Sequence, residues 1–273
     1  MLEFKEISIE DQPLFNDFKY ICSDYEFSYI YMYGKEYKLQ LANDGKALII
    51  HSDFKKPVYY MPLGDTVHGI KSVMESCNKK GKPIFAKIPE EYCSIFANLG
   101  FKLKEDRNSF DYIFRNSDFV KYEGKNFRKQ RNNMSNYLRY NEPYYTNDVN
   151  QHIEECKAFV LKNYTQNDII EPTFKVLDSL DRLNLKGGIV WNRGNIQAFC
   201  VYEKVSGDTI LSHVELTDNS HRGVHAYMIN EMSKTMEEEY INKEDDMGLS
   251  GLRRFKESYR PCRMLKKYTA YLE

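Results

Sequence analysis

The sequence predicts an α+β chain made of two successive units, and three observations carry that reading. Helical and strand-like patterns alternate through both halves, which argues against an all-α or all-β domain. The second half repeats the grammar of the first: helices or a hairpin, meandering strands, then a helix and a last strand. Between them stands Asn141-Glu142-Pro143, a break point because the residue before a proline is pushed out of the helical region. The expected domains are residues 1–142, ending in a basic helix, and residues 143–273.

Residues 3–7 read as a strand and 10–20 as a helix with Leu14, Phe15 and Phe18 on its apolar face. Strands follow at 37–42, 47–51 and 58–61, and Asp44-Gly45 between the first two is a hairpin pair. A helix over 65–79 carries Val67, Ile70, Val73 and Met74, followed by a strand at 83–88, a helix at 90–99 and a strand at 110–115. In the second half, 149–164 is a helix with Ile153, Cys156, Phe159 and Val160 as its stripe. Pro172 suits the first turn of the next helix. Residues 188–191 and 196–205 form a hairpin across Asn192-Arg193-Gly194, and 209–216 is a third strand. Helices at 224–240 and 252–259 and a strand at 267–272 complete the chain.

Composition removes several function classes. Hydrophobic residues at 42% and charged residues at 29% describe a globular chain and exclude wholesale disorder. Forty acidic against 39 basic residues leave a formal charge of -1, so a nucleic acid or acidic lipid must be recognised by a local patch. The longest apolar runs, such as Ala47-Leu48-Ile49-Ile50, fall far short of the ~20 residues that span a bilayer. The start Met1-Leu2-Glu3-Phe4-Lys5 lacks the pattern of a secretory signal. Six scattered cysteines without a Cys-x-x-Cys pair, and histidines without ligand spacing, point to reduced thiols, no metal and a cytoplasmic protein.

Three segments carry candidate chemistry. Residues 121–139 hold Lys121, Lys125, Arg128, Lys129, Arg131 and Arg139 against the single acid Glu123. As a helix, Phe127, Met134 and Leu138 form one seam, and Lys125, Arg128, Asn132 and Arg139 share the other face. Such a face can hold phosphates, or be a solvated surface and nothing more. Asn219-Ser220-His221-Arg222-Gly223 precedes a helix, and free N–H groups at a helix start attract anions. Acetyltransferase-type folds hold the pyrophosphate of coenzyme A in this way. Arg222 and Gly223 are therefore candidate cofactor contacts, although Ser220 and His225 depart from that pattern; an ordinary helix cap is the alternative. Residues 241–261 set Asn242 and Asp245 beside a Gly248–Gly251 loop and a helix bearing Arg253, Lys256 and Arg260, with Leu252, Phe255 and Tyr259 as the other stripe. These carboxylates and cations orient an amine and a phosphate or ester, or else pair with one another.

The run from Asn242 to Leu272 resembles the closing signature of the family grouped with the C-terminal domain of phosphatidylglycerol lysyltransferases. The stretch Gly124-Lys125-Asn126-Phe127-Arg128-Lys129-Gln130-Arg131-Asn132 is similar to its basic segment, and His213-Val214-Glu215 to its His-x-Glu. The resemblance implies two tandem acetyltransferase-like (GNAT-like) domains, each a mixed sheet flanked by helices. It also implies acyl or aminoacyl transfer to an amine or hydroxyl acceptor, such as a small molecule or lipid headgroup. Acyl-coenzyme A or aminoacyl-tRNA would be the donor. The expected catalytic residues are Glu215 as base, Lys256 and Tyr259; Arg128, Lys129, Arg131, Asn132, His213, Asn242, Asp245 and Arg253 are expected to bind substrate. A strand histidine such as His213, and Glu215 itself, also have ordinary structural readings. The alternative function is a noncatalytic module that binds RNA or a nucleotide through the basic helix.

Overall fold

The computed structural model describes residues 2–20, 22–77 and 81–273. The expected end of the helix at Lys79 lies outside the described residues. The architecture is α+β with two mixed sheets, one in each of two compact units. Unit 1 comprises 1–111, 245–249 and 265–273; unit 2 comprises 112–244 and 250–264.

The division corrects the expected boundary at 142/143. Asn141 and Glu142 are not a linker, since Asn192 donates to the Asn141 side chain at 2.9 Å and accepts from the Glu142 N–H at 3.1 Å. Extended backbone before a proline looks alike in a linker and at a strand entry, and here Pro143 leads into a strand.

In unit 1, β1 (Lys5–Glu6), β2 (Leu39–Asn43), β3 (Ala47–Ser52), β4 (Val58–Tyr60) and β5 (Leu63–Gly64) precede the helix α2 (Thr66–Cys77). After it come β6 (Phe85–Pro89), α3 (Cys93–Asn98) and β7 (Lys102–Glu105). The β2–β3 hairpin turns as expected, with Gly45 at φ +83° and the Asp44 carboxylate accepting from the Lys46 and Ala47 N–H groups. The expected helix at 10–20 is instead a 3-10 segment, Ile9–Phe15, containing Pro13, which cannot donate to an α-helical ladder. The helix α1 (Phe27–Tyr33) was not expected; it buries residues on nearly every side and so shows no amphipathic period.

Unit 2 opens within β8 (Asp111–Arg115), at Tyr112, and continues with α4 (Asn116–Lys121), the basic helix α5 (Arg128–Tyr140) and β9 (Tyr144–Thr146). It continues through α6 (Ile153–Asn163), α7 (Asn167–Leu177), β10 (Lys186–Asn192), β11 (Asn195–Ser206), β12 (Thr209–Thr217), α8 (Val224–Lys234), β13 (Tyr240–Asn242) and α9 (Ser250–Ser258). Pro172 falls at the middle of α7 and not in its first turn. The tight β10–β11 turn has Arg193 at φ +49° and Gly194 at +75°, the paired positive values of a hairpin turn. The expected helix at 224–240 stops at Lys234 because Glu237, Glu238 and Glu239 offer no apolar stripe, and Tyr240–Asn242 is a strand.

The strand orders are β1-β2-β3-β4-β6-β15-β7, with β5 on β3, and β14-β8-β13-β12-β11-β10-β9, where β14 is Arg263–Leu265 and β15 is Lys267–Tyr271. Each sheet contains a parallel pair spanned by a helix: β4 and β6 across α2, β12 and β13 across α8. The unit 1 core includes edge-on Phe85, Phe96 and Phe101, with centroids 5.3 to 5.8 Å apart. The unit 2 core gathers Tyr112, Phe114, Phe119, Tyr122, Met228 and Ile229. Among the described residues no helix is long and apolar enough to cross a membrane.

Candidate functional site

Strand β12 supplies Glu215, the following helix α8 supplies His225, the segment after β13 supplies Lys243, and the turn that follows α9 supplies Tyr259. The Glu215 carboxylate accepts from Ser212 Oγ at 2.7 Å, meets Lys243 Nζ at 2.5 Å, and lies 2.8 Å from His225 Nε2. His225 Nδ1 lies 2.9 Å from the Tyr259 hydroxyl. Burial alone would raise the Glu215 carboxyl, but Lys243 and the His225 hydrogen bond outweigh it and hold the group well below the ordinary carboxylate range. An ionised carboxylate only accepts, so Nε2 carries the imidazole proton and Nδ1 accepts from the tyrosine O–H. Burial, reinforced by Lys243, lowers His225 below its ordinary value and keeps it neutral, against the pull of Glu215. Tyr259 is pushed up by burial and by Glu215, so its proton stays in place at neutral pH.

The order is Tyr259–His225–Glu215, with Lys243 balancing the acid. It is a neutral imidazole fixed in one tautomer between a phenol and a carboxylate, the arrangement in which a histidine moves a proton for a hydroxyl. Aromatic rings confine it: Phe255 stands 4.8 Å from the His225 ring, and Phe119 5.8 Å from that of Tyr259. The side chains of His225 and Glu215 remain 15% and 12% exposed, so the chain of groups is not sealed.

Among the expected site residues, Glu215 and Tyr259 are brought together, although the coupling runs through His225, which had no expected role beyond departing from a glycine-loop pattern. Glu215 does not have the electrostatics of a free base; it is ion-paired to Lys243. Lys256 is buried rather than directed into an open cleft, donating to the Lys243 carbonyl and lying 5.7 Å from the Tyr112 ring centroid. On α9 the buried position is Lys256, with Tyr259 buried just after the helix, whereas Phe255 is exposed and Leu252 half-buried. Arg253 is also half-buried. His213 is held by Glu203 and Glu244, 2.9 Å from each ring nitrogen. Burial opposes its charge, but the two carboxylates win and push it up to about 10. Asn242 is buried and accepts from the Glu244 N–H at 2.8 Å, shaping the turn after β13. Asp245 departs from the expected site: it belongs to unit 1 and pairs with Lys87 at 3.0 Å.

Arg128, Lys129 and Asn132 lie exposed on α5, but Arg131 is half-buried and donates to the Tyr122 and Gly124 carbonyls. The buried seam of α5 runs through Phe127, Gln130 and Tyr137; Leu138, expected there, is 43% exposed. Gly223, at φ +101°, lies so close to α5 that a Cβ would sit 2.1 Å from the Asn133 carbonyl oxygen. Arg222 is tied to the Asn133 side chain at 3.2 Å. The close approach that Gly223 permits is thus used by α5.

Residues 16–271 match the family described as phosphatidylglycerol lysyltransferase, C-terminal. Among solved structures, the chain is similar to a conserved protein of unknown function from Bacteroides thetaiotaomicron, with 26% identity and a TM-score of 0.88 over 100% of both chains. It is similar to L-PGS from Bacillus licheniformis at 17% identity and a TM-score of 0.69, covering 98% of this chain and 93% of the other. It is also similar to FemX, at 9% identity and a TM-score of 0.59, covering 99% and 97%. At those last two identities the likeness is one of fold. A sequence search among curated proteins gives no match. Because the family match spans nearly the whole chain, the protein belongs to the phosphatidylglycerol lysyltransferase C-terminal family.

Proposed function

We propose that the chain is an aminoacyltransferase, built as two acetyltransferase-like units, that passes an aminoacyl group from tRNA to a hydroxyl or amine acceptor, with a lipid headgroup as the leading acceptor class. The observation that carries the reading is the Tyr259–His225–Glu215 chain with its neutral imidazole. An acceptor hydroxyl must lose its proton as it attacks the ester carbonyl, and the departing ribose hydroxyl must gain one. The Tyr259 oxygen accepts the first proton while its own passes to His225 Nδ1. Glu215 balances the imidazolium, and the relay then runs backward to protonate the leaving oxygen. Family membership supports transfer as the reaction class.

The exposed cations of α5, Arg128 and Lys129, support a polyphosphate contact and are the one observation that favours the noncatalytic RNA-binding reading. Transfer from charged tRNA to phosphatidylglycerol, measured with wild type and Tyr259→Phe, separates the two. Loss of transfer with retained tRNA binding is expected; tRNA binding without transfer in either protein would leave the binding module standing. A thermal-shift panel of coenzyme A, acyl-coenzyme A, and charged and uncharged tRNA tests the donor, since a ligand of the native state raises its apparent stability.

A further inference from the structure

We infer that Phe114 and Phe119, together with the ring of Tyr259, are positioning residues of the relay: they cage the Lys243 ammonium beside Glu215 and so fix the charge that keeps His225 a proton acceptor. The inference rests on the relay reading of Tyr259–His225–Glu215 and deepens it. Lys243 is buried, and its Nζ makes no hydrogen bond among the described residues. It meets Glu215 as an ion pair at 2.5 Å. The ring centroids of Tyr259, Phe119 and Phe114 lie 5.4, 5.6 and 5.9 Å from the same nitrogen. These are cation–π distances, and the attraction grows where water is excluded. Phe114 comes from β8, Phe119 from α4 and Tyr259 from the turn after α9, and all three are buried. Their rings also pack on one another, Phe114 5.2 Å from Phe119 and Phe119 5.8 Å from Tyr259, which gives the cage a fixed shape.

A cage of rings does what a second carboxylate would not: it holds the cation in place and leaves its charge to Glu215. Without the rings, the flexible four-carbon stem would let the ammonium swing away and uncover the acid. The charge count around His225 follows. Glu215 and Lys243 cancel, and Tyr259, Tyr122 and Cys200 keep their protons because burial pushes each of them up, Cys200 to about 12. Cys200 stands opposite Glu215 across β11 and β12, and the Tyr122 ring lies 6.5 Å from that of Tyr259. Lys256 adds a cation at the Lys243 main-chain carbonyl. A proton on His225 would therefore be an excess positive charge in a buried place, which burial opposes. His213, two residues before Glu215 on β12, is the opposite case: it lies 2.9 Å from both Glu203 and Glu244 and carries its proton. One histidine faces two acids; the other faces an acid whose charge is already matched.

The test titrates His225 directly by nuclear magnetic resonance, in the full chain with isotope-labelled histidine, using His225→Gln to assign its signal. The wild-type imidazole is expected to take up its proton below pH 6.5. In Lys243→Met the uncovered Glu215 should draw a proton onto His225 and raise that midpoint by about 1–3 pH units, the range of a neighbouring charge. Phe114→Leu and Phe119→Leu should each raise it by less, in the same direction. Lys243→Arg, which keeps a cation against the rings, should hold it near the wild-type value. The acid limb of kcat/KM for transfer should move with the midpoint, because that profile reports the groups of the free enzyme. A folded Lys243→Met whose midpoint does not move, or leucine variants that both titrate as wild type, would overturn the inference. Should Lys243→Met fail to fold, the leucine variants decide it. The titration needs neither tRNA nor acceptor, so a chain that shows these shifts but no transfer would sink the relay as a catalyst and leave the cage standing.

Discussion

The two units solve the same topological problem and put charge to different uses. In each, a helix spans a parallel strand pair, α2 over β4 and β6, α8 over β12 and β13. Unit 1 places Lys267 against Asp24 and Asp111, all three fully buried, and adds Lys87 between Asp24 and Asp245. Burial opposes the Lys267 ammonium, but Asp111 and Asp24 prevail and keep it charged; Asp24 is likewise held ionised by Lys267 and Lys87 against its burial. Lys267 and Asp24 are thereby each locked in one state. Unit 2 instead suspends a neutral histidine between a phenol and an ionised acid, with part of the chain reachable from outside. A group that cannot change its protonation state stabilises a fold; one that can is able to transfer a proton.

The sharpest way to break this contrast is to remove the movable proton. Tyr259→Phe and His225→Gln should each lower aminoacyl transfer by about 10² to 10⁴, the range of a positioned acid or base. Far-ultraviolet circular dichroism should be unchanged. Because His225 is held below its ordinary value of 6.5, the relay stays competent through neutral pH, and the rate should fall only as acid protonates the imidazole. A rate that instead rises as the pH drops would exclude neutral His225 as the acceptor.

Next in size is the buried cluster of unit 1. Lys267→Met strands two buried carboxylates without their shared cation and should cost about 3–5 kcal/mol in urea unfolding. A loss below about 1 kcal/mol, the range of exposed pairs, would show that water reaches the cluster and that the units do not differ as described.

Gly223→Ala forces a Cβ against the Asn133 carbonyl in a backbone conformation that alanine resists, and should cost about 1–3 kcal/mol. Trp191, the only tryptophan, lies in unit 2 and reports that loss by its fluorescence. His213 supplies a pH signature in the same unit. Its folded value, about 10, exceeds its ordinary 6.5, so its contribution is complete below 6.5 and is lost as the pH climbs through 10. In His213→Gln that alkaline loss should be absent from the unfolding curve.

The smallest stability effects separate the arginines of α5. Arg131→Ala leaves the Tyr122 and Gly124 carbonyls short of a donor and should cost about 1–3 kcal/mol. Arg128→Ala should change stability by less than about 0.5 kcal/mol, yet reduce the salt slope of tRNA binding by about one unit if it contacts a phosphate. Equal melting losses in both would erase the distinction between anchor and contact.

Much of the fold was legible because its turns and stripes are local. Asp44-Gly45, Arg193-Gly194 and the face of α6 could be read from neighbours in sequence, whereas on α2 Ile70 and Val73 are buried as expected but Val67 is exposed. The domain boundary was not, since Lys267 joins Asp24 across nearly the whole chain and leaves no local mark. The site was legible as a region but not as a mechanism. Glu215 and Tyr259 stood out through motif resemblance, whereas His225 stood within a helix and Lys243 in an acidic run that suggested solvent. Lys256 was misread for a related reason: polarity placed it on the exposed face of α9, and only the structure supplies the carbonyl and the ring that receive its ammonium group.

The position of β15 also constrains how the protein is made. The first sheet receives this strand between β6 and β7, and the strand brings the cation that neutralises Asp24 and Asp111. At synthesis rates of roughly 5–20 residues per second, residues 1–111 emerge many seconds before Lys267 exists. During that interval the first unit has an unfilled place between two strands, and Asp24 and Asp111 lack the cation they share, Lys87 alone remaining to Asp24. It cannot reach its final form until residues 267–271 have been made, so its folding waits for a strand that follows the second unit in sequence. Expression of residues 1–111 alone should accordingly yield a species that exposes strand edges and associates, and a synthetic peptide of residues 265–273 should bind it.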